Sequence, residues 1–345
     1  MQLCDLLGID LPVIQAPMAG VQGSKLAVAV CESGGLGSLP CAMLGPEVMA
    51  AEIASIRSGT SGPFNVNFFC HAPPAPNPVR EAAWRRALLP YYEELGLDPE
   101  AIAPASGRTP FSRETAEQLA RIKPPVVSFH FGLPETKLLA PVRAWGARIM
   151  ASATTVEEAL WLEARGVDVI IAQGTEAGGH RGHFLSEDLG IQSRTRALVT
   201  DIIARVNVPV VAAGGIATAD DVAGIMELGA AGVQVGTAYL LCPEAATRPL
   251  HRAVLASGAC LDTAITNVFT GRPARGIVNR LIREQGPISQ LAPEFPLASN
   301  ALGPLRAAAE KNGSSDFTPL WAGQNGAACR EVSAAALTRE LAAKL

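Results

Sequence analysis

The 345-residue sequence lacks the features that mark membrane, secreted and nucleic-acid-binding proteins. No stretch approaches 18 uninterrupted apolar residues, and residues 1–11 carry Asp5 and Asp10 where a signal peptide would carry Lys or Arg. Lys and Arg number 28 against 32 Asp and Glu, so the net charge of −4 gives no general attraction to phosphate backbones or anionic lipid. We therefore expect a cytoplasmic protein with no nucleic-acid and no membrane partner.

Paired cysteines are also missing. The seven cysteines form an odd set without a CxxC pair, which predicts neither a disulfide framework nor a zinc knuckle. We expect reduced, mostly buried thiols and no metal site.

Two nucleotide-binding motifs are absent as well. The sequence contains no GxxxxGK[ST], and the first predicted strand-to-helix turn reads APMAG (16–20) where an open dinucleotide-binding sheet would show GxGxxG. Apolar residues make up 48% of the chain and charged residues 17%, which excludes disorder as its main state. The length allows one large α/β domain with an appendage, or two medium domains.

Short apolar runs alternate with amphipathic, Ala-rich segments through most of the chain, which is typical of a parallel α/β fold. The predicted strands are 12–17, 36–40, 64–70, 126–131, 147–153, 167–174, 208–215 and 232–239. The clearest helices between them are 24–32, 46–57, 113–121, 155–165, 195–206 and 218–228. Eight such strands favour a closed TIM (β/α)8 barrel over an open sheet.

Two segments exceed a minimal barrel. Residues 71–112 are rich in proline and contain a helical patch at 80–95, which indicates a long insertion. Residues 243–316 contain predicted helices at 244–257, 277–284 and 302–311 and no predicted strand that returns to the barrel sheet. We therefore expect a barrel of 1–242 and 317–345, closed by a helix within 320–345, and a smaller, mainly helical domain of 243–316 over the barrel mouth.

Glycine-rich turns follow the last two predicted strands, at 213–216 and 234–237. Barrels commonly hold a phosphate in this region, because glycines let backbone N–H groups approach an anion next to a helix N-terminus. The alternative is that the glycines only form tight turns.

A third polar cluster lies at 173–183 (QGTEAGGHRGH). Its glycines permit close approach to a flat ring, and His180 has an imidazole that can exchange a proton near neutral pH. His180 could instead be satisfied by backbone groups, and pairing with His183 as metal ligands is disfavoured because no third ligand lies nearby. Asn67 and His130 lie near the ends of predicted strands, where a ligand or a neighbouring strand could satisfy them.

At this level of detail the sequence resembles the class I nitronate monooxygenases, formerly called 2-nitropropane dioxygenases, which are FMN-dependent TIM-barrel enzymes. The resemblance runs from residue 11 to about 325. It is carried by QAPMAG (15–20), NVNFFCH (65–71), AQGTEAGGHRG (172–182), AAGGI (212–216), GVQVGTAYL (232–240) and WAGQ (321–324).

The resemblance implies an FMN site and two histidines in the active site. His180 matches the catalytic histidine, and His130 matches a second histidine that faces the substrate. The positions that would bind FMN are Ala16, Pro17, Met18, Asn67, Gln173, Gly178, Gly179, Gly214, Gly215, Gln234, Val235, Gly236, Thr237, Trp321 and Gln324.

The resemblance also implies oxidation of alkyl nitronates, such as propionate 3-nitronate, or of nitroalkanes, by O2 to carbonyl compounds and nitrite. His180 would act as an imidazolium that stabilises the nitronate or as a base on the neutral nitroalkane. The family's lid supplies Tyr and Lys, whereas 295–311 contains no Tyr and offers Lys311 as a candidate counterpart.

Three other functions remain open at this stage. Flavin-dependent enoyl-ACP reductases and NADH:quinone reductases share the EAGGH loop, and a non-catalytic flavin-binding module is possible for any such fold. The NFFCH and HRG segments favour the nitronate monooxygenase. The sequence does not indicate an oligomeric state.

Overall fold

The computed structural model describes residues 2–100, 102 and 108–345. Met1, at the start of the predicted barrel segment, and residues 101 and 103–107 of the predicted insertion lie outside the described residues. Within this part of the chain, no helix combines the length and the hydropathy needed to span a lipid bilayer.

Eight strands form one parallel sheet. A parallel bridge between Ile14 and Leu36 joins its two ends and closes the barrel. All eight predicted strands are confirmed. In chain order the strands are β1 (Val13–Gln15), β2 (Gly37–Pro40), β3 (Phe64–Phe69), β4 (Val126–His130), β5 (Arg148–Ala153), β6 (Val169–Gln173), β7 (Gly179–His180), β8 (Val210–Ala213), β9 (Gly232–Val235), β10 (Thr263–Thr266) and β11 (Ala274–Ile277). The order within the parallel sheet is β1-β9-β8-β6-β5-β4-β3-β2.

Strand β3 shows how the sequence sets the two faces of the barrel wall. Val66 and Phe68 pack outward into the hydrophobic cluster that the surrounding helices share. Asn65 and Asn67 point inward, where the Nδ2 atoms of both donate to Oγ of Ser128 at 2.9 Å. Because successive side chains of a strand alternate between its faces, FNVNFF builds an apolar outer layer and a polar interior.

The helices are α1 (Leu3–Leu7), α2 (Ser24–Cys31), α3 (Pro46–Gly59), α4 (Pro78–Glu94), α5 (Arg113–Ile122), α6 (Thr136–Ala144), α7 (Val156–Glu163), α8 (Thr195–Ile203), α9 (Ala219–Met226), α10 (Pro249–Leu255), α11 (Arg280–Gln285), α12 (Ala298–Lys311) and α13 (Ala334–Leu341). Side-chain caps at Ser112, Thr155 and Thr218 start three of the predicted helices.

Three predicted helices differ from the observed ones. The helix expected within 320–345 is confined to α13, because residues around 321–325 form a loop at the cavity described below. The helix expected at 277–284 begins only at Arg280, since Ile277 belongs to β11. The helix expected at 244–257 is reduced to α10.

A small antiparallel sheet was not predicted. Strand β11 pairs with β10 on one side and with the two-residue strand β7 on the other. These strands are too short to leave a clear periodic signal, and one pairing joins segments almost a hundred residues apart. None of the three enters the barrel sheet.

The predicted insertion and the segment after the barrel share a hydrophobic cluster. Trp84 and Tyr92 on α4 pack with α12 and donate to the carbonyl oxygens of Ala298 at 3.2 Å and Ala301 at 2.6 Å. Phe317 joins the same cluster. We therefore propose that the small domain consists of 243–316 together with α4.

Candidate active site

A cavity of about 600 Å³ lies at the carboxyl ends of the barrel strands and extends to α12. In (β/α)8 barrels this end carries the catalytic loops. The cavity brings together nearly all the residues that the sequence predicted. Those on its wall are Ala16, Pro17, Met18, Asn67, His130, Gln173, Gly178, Gly179, His180, Gly214, Gly215, Gln234, Gly236, Thr237 and Trp321.

Two predicted positions, Val235 and Gln324, are not on this wall. The side chain of Val235 is buried in the outer hydrophobic cluster, since Gln234 takes the inward position and strand residues alternate. The side chain of Gln324 is exposed, and its backbone N–H donates to the carbonyl of Glu176 at 3.1 Å. Gly323 and Asn325 line the cavity instead.

Sequence reasoning also missed several charged and polar residues of the cavity wall. Arg108 belongs to the predicted insertion, which carried no chemical motif. Lys311, the expected lid cation, is exposed and off the wall, and Arg306 lines the cavity in its place. The missed residues with polar side chains are Arg108, Ser128, Ser152, Arg248, His251, Arg306, Glu310, Thr318 and Asn325.

The turn after β8 forms an open cradle of backbone donors. Gly214 and Gly215 have φ values of +123° and +69°, which L side chains rarely adopt. Among the described residues, the N–H groups of Gly215 and Ile216 have no hydrogen-bond acceptor. Helix α9 starts just beyond with a capping box of Thr218 and Asp221. Free N–H groups next to a helix N-terminus favour an anion such as a phosphate.

Gln234 presents an unsatisfied acceptor to the same cavity. Its Oε1 atom is buried and has no hydrogen-bond partner among the described residues. Buried carbonyl oxygens are usually paired, so this atom fits a ligand that carries an N–H or O–H donor.

Two buried side chains hold the loop that carries His180. Gln173 donates from Nε2 to the carbonyl of His180 at 2.9 Å and accepts from the N–H of Gly182 at 2.7 Å. Arg181, fully buried, donates to the carbonyls of Gly174 at 2.7 Å and Gln173 at 2.8 Å. The loop is therefore fixed before a ligand arrives.

His180 is a neutral imidazole near neutral pH. Burial, and next the charge of Arg108, lower its pKa well below the usual histidine value. Its Nε2 atom lies 2.9 Å from Oγ1 of Thr270. The other ring nitrogen, Nδ1, forms no hydrogen bond within the described part of the chain. His180 can therefore accept a proton but does not supply a positive charge.

His130 has both ring nitrogens engaged. Nδ1 lies 2.6 Å from Oγ of Ser152, and Nε2 lies 3.2 Å from the carbonyl oxygen of His180. A carbonyl only accepts, so Nε2 carries the proton and Ser152 donates to Nδ1. Burial lowers the pKa of His130 to about 3. This geometry suits a residue that positions the His180 loop, and it leaves no free ring nitrogen for a substrate.

The positive charge of the cavity comes from arginine. The guanidinium carbon of Arg108 lies 5.6 Å from the centroid of the Phe295 ring, and no described carboxylate forms an ion pair with it. Arg306 is a second cation on the wall, held by Glu310 at 2.8 Å. A cation without an acidic partner in a largely buried site favours an anionic ligand.

Three histidines with lowered pKa values predict that stability falls in mild acid. Burial lowers the pKa values of His71 and His251 to about 4 and that of His130 to about 3, from an ordinary 6.5. Between pH 6.5 and about pH 4, these histidines bind protons in the unfolded chain but not in the folded protein, so stability is lost as pH falls. We expect Tm to drop through this window, and His251→Gln to flatten the drop. A Tm that is constant across the window would contradict this.

The closed barrel, the anion cradle and the preorganised neutral histidine define a (β/α)8-barrel enzyme. A family model described as nitronate monooxygenase matches residues 1–344. The chain therefore belongs to the nitronate monooxygenase family.

Individual proteins agree with this assignment. A nitronate monooxygenase of Pseudomonas aeruginosa is 42% identical over 99% of this chain and 97% of its own length. One from Paraburkholderia phytofirmans is 39% identical over 99% of this chain and 94% of its own length.

Solved structures give the same picture. The structure of a nitroalkane oxidase from Streptomyces ansochromogenes has a TM-score of 0.90 at 38% identity and covers 99% of this chain and 97% of that chain. FabK from Thermotoga maritima has a TM-score of 0.74 at 24% identity, covers 99% and 94% of the two chains, and shares the fold.

Proposed function

We propose that this protein is an FMN-dependent nitronate monooxygenase that oxidises alkyl nitronates, such as propionate 3-nitronate, with O2 to carbonyl compounds and nitrite. The proposal depends on one observation: a neutral histidine, His180, lines the same cavity as Arg108, a cation that forms no ion pair with a described carboxylate. A nitronate is an anion that needs no further deprotonation, and a cationic pocket suits it.

The residues of the cavity fit FMN. The N–H groups of Gly215 and Ile216 would hold its phosphate, and the unpaired Oε1 of Gln234 would accept from a donor on its ring. Gly179 has a φ of +75°, and a Cβ there would meet no atom within 4 Å, so its backbone faces open space. When bound, FMN would supply the electron transfer between substrate and O2.

The chain's own side chains would bind and orient the substrate. We propose that Arg108 supplies the positive charge that favours the nitronate, since the pKa of His180 is too low for an imidazolium. Neutral His180 would accept the α-proton when a neutral nitroalkane binds. His130 would support the loop through its bond to the carbonyl of His180.

The cofactor assignment predicts a yellow protein. We expect heat denaturation to release FMN and no FAD, because the cradle at Gly214 and Gly215 offers one phosphate site. Chromatography of the released cofactor beside FMN and FAD standards measures this. A colourless protein that takes up no added FMN would remove the cofactor from the proposal.

The activity is tested by ranking substrates. We expect nitrite release and O2 uptake with a nitronate to be much faster than NADH oxidation with a quinone or an enoyl thioester. The reverse ranking would assign the protein to the reductase activities that share this barrel. Bound FMN that reacts with none of these compounds would indicate a flavin-binding module.

A further inference from the structure

Thr270 connects the small sheet to the candidate catalytic histidine. It lies in the turn between β10 and β11, is 1% exposed, and has its Oγ1 atom 2.9 Å from Nε2 of His180. The pairing of β7 with β11 sets His180 opposite Ala274, and the N–H of Arg181 donates to the carbonyl of Pro273 at 2.8 Å. Backbone pairing therefore fixes the histidine and the threonine relative to each other.

The direction in which Thr270 donates its hydroxyl proton is linked to the tautomer of His180. A threonine hydroxyl has one proton to donate and two lone pairs. The carbonyl oxygen of Arg272 lies 3.3 Å from Oγ1 and can only accept. When the hydroxyl proton goes to that carbonyl, Oγ1 is an acceptor toward His180, and Nε2 must carry the imidazole proton.

We propose that Thr270 is a positioning residue that holds the proton of neutral His180 on Nε2 and so leaves the lone pair on Nδ1. The proposal rests on the proposed function, because its consequence concerns nitroalkane substrates. Nδ1 is the ring nitrogen without a protein partner in the described structure, and His180 lines the cavity.

The consequence is a defined proton transfer. The α C–H bond of a neutral nitroalkane breaks, its proton goes to Nδ1, and its electron pair moves into the nitro group to give the nitronate. Thr270 continues to accept from Nε2–H, so the imidazolium that forms is already hydrogen-bonded. A substrate that arrives as the nitronate bypasses this step.

The tautomer can be read directly. In ¹⁵N NMR spectra of the purified protein at neutral pH, we expect His180 to show a protonated Nε2 and an unprotonated Nδ1, with Thr270→Val shifting the ring toward a mixture. His180→Asn assigns the signals. A protonated Nδ1 in the unmodified protein would overturn the proposal, and this readout does not depend on catalytic activity.

Steady-state kinetics provide a second test of the role of Thr270. Thr270→Val, which keeps the shape but removes the hydroxyl, should lower kcat/KM for a neutral nitroalkane about 2–10-fold, the range of one neutral hydrogen bond. Turnover of the preformed nitronate should change less than about twofold. The Thr270→Ser variant, which keeps the hydroxyl, should turn over the nitroalkane about as fast as the unmodified protein.

Thr266→Val is the matched control. Thr266 lies in β10, is buried, and donates to the carbonyl of Pro287 at 2.6 Å, away from His180. The Thr266→Val variant should leave the ratio of nitroalkane to nitronate turnover unchanged.

Equal losses on both substrates with Thr270→Val, or a Thr270→Ser variant as slow as Thr270→Val, would contradict the positioning role. Absence of activity on both substrates in the unmodified protein would overturn the proposed function. The ¹⁵N NMR measurement would still determine the tautomer of His180.

Discussion

His180→Asn is expected to lower kcat/KM for a neutral nitroalkane about 10²–10⁴-fold, the contribution typical of one positioned general base. The pKa of His180 is lowered first by burial, so the unmodified imidazole is unprotonated near neutral pH, which is the form that a general base requires. Asn keeps a polar group of similar reach, so the cofactor should stay bound. With the preformed nitronate the loss should be much smaller. Steady-state nitrite assays on both substrates measure the difference.

His183→Asn is the companion variant. His183 is buried, pairs with Glu187 at 3.3 Å and does not line the cavity. We expect its kcat/KM values to stay close to those of the unmodified protein, with the cost appearing as a lower Tm. A His180→Asn variant that retains the nitroalkane rate would show that the base lies elsewhere.

Arg108→Met should affect the two substrates in the opposite way to His180→Asn, with the larger loss on the nitronate. A charged hydrogen bond is worth about 1.5–3 kcal/mol, so kcat/KM for a nitronate should fall about 10–100-fold. The neutral nitroalkane should lose little, because it carries no net charge for the guanidinium to hold. Met keeps the apolar part of the Arg stem, and its polarizable thioether can contact an aromatic ring in place of the guanidinium that lies over Phe295.

Lys311→Met is the matched control for Arg108. It removes a cation from the exposed face of α12, off the cavity wall, and should change neither substrate's kcat/KM appreciably. Equal losses on nitronate and nitroalkane with Arg108→Met would contradict the charge argument and indicate a general packing defect.

The barrel could be predicted because its signal is local. Each strand is a short apolar run that ends at a glycine, serine or other turn residue, and β3 even shows its inward amides at Asn65 and Asn67. The cradle at Gly214 and Gly215 was visible for the same reason, since glycines at the ends of strands occupy known places in a barrel.

The rest depends on contacts between distant segments. Thr270 reaches His180 only because β11 pairs with a two-residue strand, and nothing in the sequence around 263–277 marks that pairing. Arg108 lies on the cavity wall beside Arg306 of α12, although neither belongs to a motif. Val235 was included because a motif was transferred as a continuous run, whereas a strand presents alternate side chains to each face and the Val235 side chain lies in the outer cluster.

We infer that a nitronate, and not NADH, is the electron donor to the cofactor in this cavity. The decisive experiment is anaerobic: the visible absorption spectrum of the purified protein is recorded before and after addition of a nitronate, beside a second sample that receives NADH. We expect a rapid spectral change with the nitronate and none with NADH. A cofactor that NADH reduces rapidly and the nitronate leaves unchanged would contradict it.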